Sequence, residues 1–171
     1  MTAGSAYGWL ERRLFEVLGG WVPSTPEPEV KLLLRRHSFQ HAWHAELWEE
    51  LWEDVPGPAA PTPSLERLVE VIAAPEATPA RLVGVYGVLL PGLVASYRGW
   101  AETAAGPVAR VLRLVLADEA AAVAEARGAL ERYEDVADAH RSAAAAQLAN
   151  TPFGQHAVRP THRAVRRDET C

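Results

Sequence analysis

The stretch RHSFQHAWHAELW (residues 36–48) lies within a pattern that predicts one long amphipathic helix, from about Thr25 to about Asp54. Its core-type positions recur at steps of three and four residues, so their side chains share one face of the helix. These positions are Val30, Leu33, Leu34, His37, His41, His44, Trp48, Leu51 and Val55. Three histidines therefore lie on the face that is predicted to be buried, where a polar group without a partner costs about 1–3 kcal/mol.

Prolines, glycines and capping residues divide the rest of the chain into further helices. We expect these helices over roughly residues 6–18, 64–74, 78–103 and 108–149. Thr25, Ser64 and Thr78 supply hydroxyls at predicted helix starts, where a side-chain oxygen can accept a hydrogen bond from a free backbone N–H. A break in the last helix is expected near Glu134 and Asp135.

The helical pattern ends near Asn150. We therefore expect residues 1–150 to form one helical domain and residues 151–171 to form a disordered tail. No strand-like alternation of useful length occurs in the sequence. The predicted fold class is all-α: a four-helix bundle with an additional short helix and a flexible C-terminal tail.

The 171-residue chain has a formal net charge of −5, which gives no reason to expect nucleic acid as a partner. Its longest uncharged run, Leu82–Tyr97, has 16 residues and is interrupted by Pro91 and Gly92. A membrane-spanning helix needs about 20 apolar residues. We therefore interpret this run as a buried, kinked core helix and expect no membrane association.

The only cysteine, Cys171, excludes an intrachain disulfide. Charged residues at positions 11–13 interrupt the N-terminal segment where a secretion signal needs an apolar run. We therefore expect a cytoplasmic location. Lys31 is the only lysine, and this bias toward arginine and alanine is typical of a bacterial protein.

Carboxylates occupy apolar faces of two other predicted helices. Glu119 lies within the apolar stripe of the last helix, and Glu11 lies beside the apolar residues of the first. His41 and His44 are three residues apart and are therefore neighbours on one helix face, which is a chelating arrangement. Imidazole and carboxylate groups together suit zinc, iron, manganese or copper. On the helix between them, Tyr86 is the polar candidate of the inward face.

This layout resembles the ferritin-like superfamily, whose bundles place a Glu on each of two helices and a Glu-x-x-His on each of the other two. The local matches are RHSFQHAWHAELW and RVLRLVLADEAAAVAEA (residues 110–126). The resemblance implies that Glu11 and Glu119 are ligands and that His41-x-x-His44 replaces one Glu-x-x-His. Ala122 stands where the second histidine of the family would be.

The implied ligands are Glu11, His41, His44 and Glu119, with His37 as a spare. This set suits one metal ion but not two, so the site is either mononuclear or a degenerate remnant. The cofactor would be iron or another transition metal. We interpret the chain as a ferritin-like metal-binding protein, with oxidase or oxygenase activity as one possibility. The substrate would be a small molecule of unknown identity, and Tyr86 would supply a proton or a radical.

Two alternatives remain open at the level of sequence. The histidines could pair with carboxylates in a hydrogen-bonded core without metal, within a non-catalytic scaffold or partner protein; they could also transfer protons. Separately, Trp43 and Trp52 lie off the core stripe of their helix. They indicate a subunit interface, in a homodimer or with another protein.

Overall fold

The structure, a computed structural model, describes residues 3–51, 61–133 and 138–153, and within these ranges it contains helices and short connections but no strand. A π-helical segment, Val83–Leu89, joins the fourth helix to the fifth. The helices are α1 (Ala3–Trp21), α2 (Pro28–Leu51), α3 (Pro63–Ala73), α4 (Thr78–Leu82), α5 (Leu90–Ala101), α6 (Gly106–Glu131) and α7 (Asp138–Ala149). The predicted all-α class is confirmed.

The predicted rotation of α2 agrees with the pattern of burial along that helix. Its inward face is buried and includes all three histidines, none of which is more than 1 % exposed. The buried members of the predicted stripe are Val30, Leu33, Leu34, His37, His41, His44 and Trp48. Arg35, Arg36 and Glu46 lie on exposed positions of the same helix. Helical periodicity therefore sorted the side chains of α2 correctly.

The helices pack around the buried face of α2. α1 lies along α2, and α6 contacts both α2 and α5. Side chains of α1 reach α5, where the Tyr7 and Ser96 hydroxyls are 2.5 Å apart. α7 packs on the π-helical segment and on α3. The histidine face thus points into a core shared by α1, α2, α5 and α6, while the ferritin-like bundle order stays a prediction.

The irregularity predicted in the apolar run is a π-helical turn. Proline has no backbone N–H and its ring crowds the carbonyl four residues earlier, so Pro91 interrupts α-helical hydrogen bonding. Just before it, the Leu90 N–H donates to the Val85 oxygen, five residues back, which is the π-helical pattern. The continuous segment Thr78–Ala101 is long and apolar enough to cross a membrane. However, 78 % of its most apolar 18-residue stretch is buried inside the protein, as in a core helix.

The three predicted N-caps were wrong, because the hydroxyls of these residues make other hydrogen bonds, some local and some tertiary. Thr25 donates to the Trp21 oxygen at the end of α1, and α2 begins only at Pro28. Thr78 donates to the Glu27 carboxylate. The cap of α3 is Thr62, whose side chain accepts from the Leu65 N–H, rather than Ser64.

The expected break in the last helix lies between α6 and α7, with Glu134 and Asp135 outside the described residues. The linker residues 56–60, Trp52 and the tail from residue 154 also lie outside them. The predicted domain boundary at residue 150 falls just before Phe153, whose ring is buried 4.8 Å from that of Tyr7.

Gly84 lies in the π-helical segment, next to side chains of α3 and α7. A Cβ atom there would be 2.7 Å from His140 Nε2 and 3.2 Å from Ile72 Cδ1. We predict that Gly84→Ala lowers the free energy of unfolding by about 1–3 kcal/mol, because the added methyl group must displace the His140 ring and crowds the Ile72 side chain. Thermal unfolding followed by circular dichroism measures the change.

Gly99→Ala is the matched control, since nothing lies within 4 Å of a Cβ at that helical position. Alanine is the better helix former, so this variant should be unchanged or more stable by up to about 1 kcal/mol. Equal melting temperatures for the two variants would contradict the close packing of α7 on Gly84.

Candidate metal centre

Four side chains from three helices converge in the core. Glu11 comes from α1, His41 and His44 from α2, and Glu119 from α6. Each is no more than 1 % exposed, and each offers one nitrogen or oxygen atom, all within 4.8 Å of one another. Helical periodicity explains the local placement, since residues three or four apart on α2 project from the same face.

The atoms that face one another are separated by distances close to those between metal ligands. His41 Nδ1 is 2.6 Å from Glu11 Oε2 and 3.2 Å from Glu119 Oε1. His44 Nδ1 is 3.5 Å and 3.2 Å from the same two oxygens. A tetrahedral ion with bonds of about 2.0–2.1 Å holds neighbouring ligands about 3.3 Å apart. Three of these four separations already match that value, and the shortest contact would have to open.

Two further side chains orient the cluster from outside. The Tyr97 hydroxyl donates to Glu11 Oε1 at 2.6 Å, and its ring is packed against those of Tyr7 and Trp48. His44 Nε2 lies 3.1 Å from Asp118 Oδ2, so this carboxylate can hold the ring while Nδ1 faces the cluster. Metal-binding histidines commonly use their second nitrogen in this way.

Two polar atoms of the cluster have no hydrogen-bond partner among the described residues. They are His41 Nε2 and Glu119 Oε2, and both are buried. A buried polar group without a partner is costly, and it frequently marks the position of a water molecule or an ion. The second oxygen of Glu119 is therefore free for a further ligand contact. The cluster does not satisfy all of its own hydrogen-bonding groups.

His37 and Tyr86 form a separate pair one helical turn away. His37 Nδ1 is 2.9 Å from the Tyr86 hydroxyl, and its Nε2 is 3.1 Å from Glu125 Oε2. Glu125 is part exposed and also pairs with Arg36. The structure thus brings four of the five predicted ligands together and places His37 outside the group. The hydroxyl that touches the cluster belongs to Tyr97, not to Tyr86.

In the sequence, Tyr97 is the last residue of the uncharged run, and no role is predicted for it. It follows Tyr86 by eleven residues, about three helical turns, so both rings share a face and spacing alone cannot choose between them. The sequence pattern predicted no role for Asp118 or Glu125. Neither has a sequence signal beyond being acidic near Glu119.

Opposite charges dominate the electrostatics of the cluster. Burial alone would raise the pKa of Glu11, but the charges and hydrogen bonds of His41 and His44 outweigh it and lower that pKa to about 2. Burial alone would lower the pKa values of the histidines, but Glu11 and Glu119 raise them to about 9 for His41 and about 11 for His44. Without metal, both imidazoles therefore carry a proton at neutral pH.

Fold and site together define an all-α protein with a buried Glu/His/His/Glu cluster that could bind a metal and resembles a ferritin-like site. No protein-family model, curated protein or solved structure matches the chain. The argument for function therefore depends on the geometry and charge of the cluster.

The shifted pKa values predict how the stability of the metal-free protein depends on pH. His41 and His44 bind protons more tightly when folded, so their contribution is complete below pH 6.5 and is lost as pH rises toward 9 and 11. The Glu11 contribution is present above pH 4.5 and is lost as pH falls toward 2. We therefore predict that the free energy of unfolding falls steadily between pH 6.5 and pH 9, as measured by urea denaturation in the presence of a chelator.

Burial lowers the pKa of His37, and a lowered histidine pKa makes the free energy of unfolding rise with pH. This effect ends near pH 6.5, because above that pH His37 is neutral in both the folded and the unfolded state. Glu11→Gln serves as the comparison on the acid side, since it should flatten the loss of stability below pH 4.5. Stability that increases from pH 6.5 to pH 9 would contradict the assigned charges.

Proposed function

We propose that this chain is a ferritin-like metal-binding protein that holds one transition-metal ion between Glu11, His41, His44 and Glu119. The observation that carries the proposal is the convergence of these four buried side chains, with one potential ligand atom from each within 4.8 Å of the others. In this proposal α1, α2, the segment Thr78–Ala101 and α6 serve as the four helices of the bundle.

The charge of the cluster supports exchange between protons and a divalent ion. Two carboxylates and two protonated imidazoles sum to zero charge in the metal-free protein. A divalent cation bound to two carboxylates and two neutral imidazoles also sums to zero. The core therefore stays neutral in both states, which avoids the large penalty for burying net charge. Two carboxylates without compensating protons or a cation would not be stable in this position.

The donor set indicates which ions fit. Imidazole nitrogen suits zinc, iron and other transition metals, whereas magnesium and calcium favour oxygen ligands alone. The set also favours a single ion, because a dinuclear site needs additional carboxylates to bridge two cations. Here α5 contributes the Tyr97 hydroxyl rather than a carboxylate, and Ala122 lies one turn after Glu119.

A catalytic form of the proposal is an oxidase or oxygenase, because bound iron would supply oxygen activation. The chain offers a proton path near the site. Burial keeps the pKa of Tyr86 well above its ordinary value, so its hydroxyl stays protonated, and it donates to His37 Nδ1 when the neutral His37 carries its proton on Nε2. The His37 Nε2–H then donates to Glu125, which borders a groove of about 400 Å³ between α2 and α6. Tyr86, His37 and Glu125 would carry a proton between the core and solvent.

The alternative, a scaffold whose polar core needs no metal, requires a self-sufficient hydrogen-bond network. The unpartnered second oxygen of Glu119, which a bound ion could contact, argues against such a network. The polar core is better explained as a site that is completed by a bound ion.

Metal titration of protein purified without a histidine tag tests the proposal. We predict that Zn²⁺, Mn²⁺ or anaerobic Fe²⁺ binds at about one ion per chain and raises the melting temperature, because a ligand of the folded state stabilises it. Glu119→Gln keeps the side-chain volume but removes a ligand charge, so it should weaken binding by at least about 100-fold. Isothermal titration calorimetry gives both numbers.

His37→Gln is the matched control for that titration. It removes a buried histidine of the same helix, one turn from the cluster, and should leave affinity and stoichiometry unchanged. Absence of binding by the wild type, or equal loss in both variants, would overturn the proposed ligand set and favour the scaffold.

Proton release provides a second test of the same site. Because the ion replaces the protons of His41 and His44, binding of a divalent ion at pH 7 should release about two protons. Calorimetry in buffers with different heats of ionisation measures this number. It should decrease above pH 9, where His41 has already lost its proton. Binding without proton release would place the ion elsewhere.

A further inference from the structure

The outer face of α2 carries a second pattern, on the side opposite the histidines. Its positions recur at steps of four, three, four, three and four residues, which is the heptad spacing of a helix that packs against another helix. The six residues of this outer stripe are all exposed; they are Leu32, Arg36, Phe39, Trp43, Glu46 and Glu50. At 100° per residue they centre about 180° from His41.

Large apolar side chains are exposed mainly on this side of the protein. Phe39 is 77 % exposed and Leu32 60 %, and Trp43 lies on the same stripe. Phe15 of α1 is exposed next to them and lines a groove together with Leu32 and Phe39. Among the described residues, the one other exposed large apolar side chain is Leu114 of α6. Such a concentration marks an interaction surface rather than scattered surface residues.

Charge along the outer stripe indicates what covers it. The stripe is basic toward its N-terminal end, at Arg36, and acidic toward its C-terminal end, at Glu46 and Glu50. Neither glutamate makes a hydrogen bond or a close ion pair within the described residues, although the charge of Glu46 also acts on Arg12 of α1. A parallel partner of the same sequence would place like charges together, whereas an antiparallel one would place opposite charges together. The stripe is therefore complementary to itself in the antiparallel direction.

We propose that the outer stripe of α2 packs against the same stripe of a second copy of this chain, antiparallel, about a two-fold axis near residue 41. In this register Phe39 faces Trp43 of the partner subunit, and Arg36 faces Glu46 of the partner subunit. Each contact then occurs twice, as two-fold symmetry requires. Aromatic residues lie at the centre and charged residues flank them, as in a specific interface with a polar rim, while Leu32 faces Glu50 of the partner subunit.

This interface is independent of the proposed metal centre. The histidines face the core of each subunit, so the dimer neither adds a ligand nor covers the cluster. Arg36 also pairs with Glu125 of its own subunit, but more than half of its side chain is exposed and it retains free donors.

Sedimentation equilibrium of the metal-free protein tests the dimer. We expect the wild type to dimerise and Phe39→Glu to raise the dimer dissociation constant by at least about 30-fold, the effect of losing a central aromatic contact. Phe39 is exposed, so this change should leave the fold intact, which circular dichroism verifies. Leu114→Glu is the matched control: it places the same charge on another exposed apolar position and should leave dimerisation unchanged.

A charge exchange tests the register. Glu46→Arg brings two arginines together and should weaken the dimer, and Arg36→Glu should do the same by bringing acids together. The double variant carries complementary charges again and should recover most of the affinity of the wild type. Recovery supports the antiparallel register, and a double variant weaker than both single variants would overturn it. A monomeric wild type, or equal weakening by Leu114→Glu and Phe39→Glu, would overturn the interface itself.

Discussion

The burial of two carboxylates, Glu11 and Glu119, is the constraint on which the rest of this structure depends. Two acids in a core cannot remain ionised unless positive charge lies beside them. His41 and His44 supply that charge, and their contacts join α1, α2 and α6 at one depth. These contacts oppose rotation of any of the three helices, because turning one of them would leave a charged group buried without a partner.

Side chains around the cluster make hydrogen bonds that hold the cluster residues in position. The ring of Tyr97 is packed against those of Tyr7 and Trp48, and in this position its hydroxyl donates a hydrogen bond to Glu11. Asp118 holds the far nitrogen of His44 at the edge of the core. The apolar residues on the outer face of α2 would be buried in the proposed dimer, so this helix would then be buried on both faces. Its inner face would bind a cation, and its outer face a second copy of itself.

Only the structure shows which of several equivalent residues in the sequence pattern belong to the cluster. His37, His41 and His44 share one helical stripe, yet His37 pairs with Tyr86 and Glu125 while the other two face Glu11 and Glu119. A stripe places side chains on a face, but it does not show which residue of a neighbouring helix lies at the same height. The same reason explains why the sequence singled out Tyr86 and gave no role to Tyr97, whose hydroxyl reaches Glu11. The capping hydroxyls of Thr25 and Thr78 were misassigned because the first donates to a local backbone oxygen, that of Trp21, and the second to the distant carboxylate of Glu27.

Taken alone, the sequence determined the helical class, the buried face of α2 and the presence of Glu11 and Glu119 on inward faces, because these follow from periodicity within each helix. It also determined that the apolar run would form an interrupted core helix, since Pro91 lacks a backbone donor. Only the tertiary structure decided which polar groups meet. The relative height and rotation of α1, α2, α5 and α6 arise from contacts between residues far apart in the sequence, such as Tyr97 with Glu11, which are 86 positions apart. Such contacts leave no local pattern along the chain.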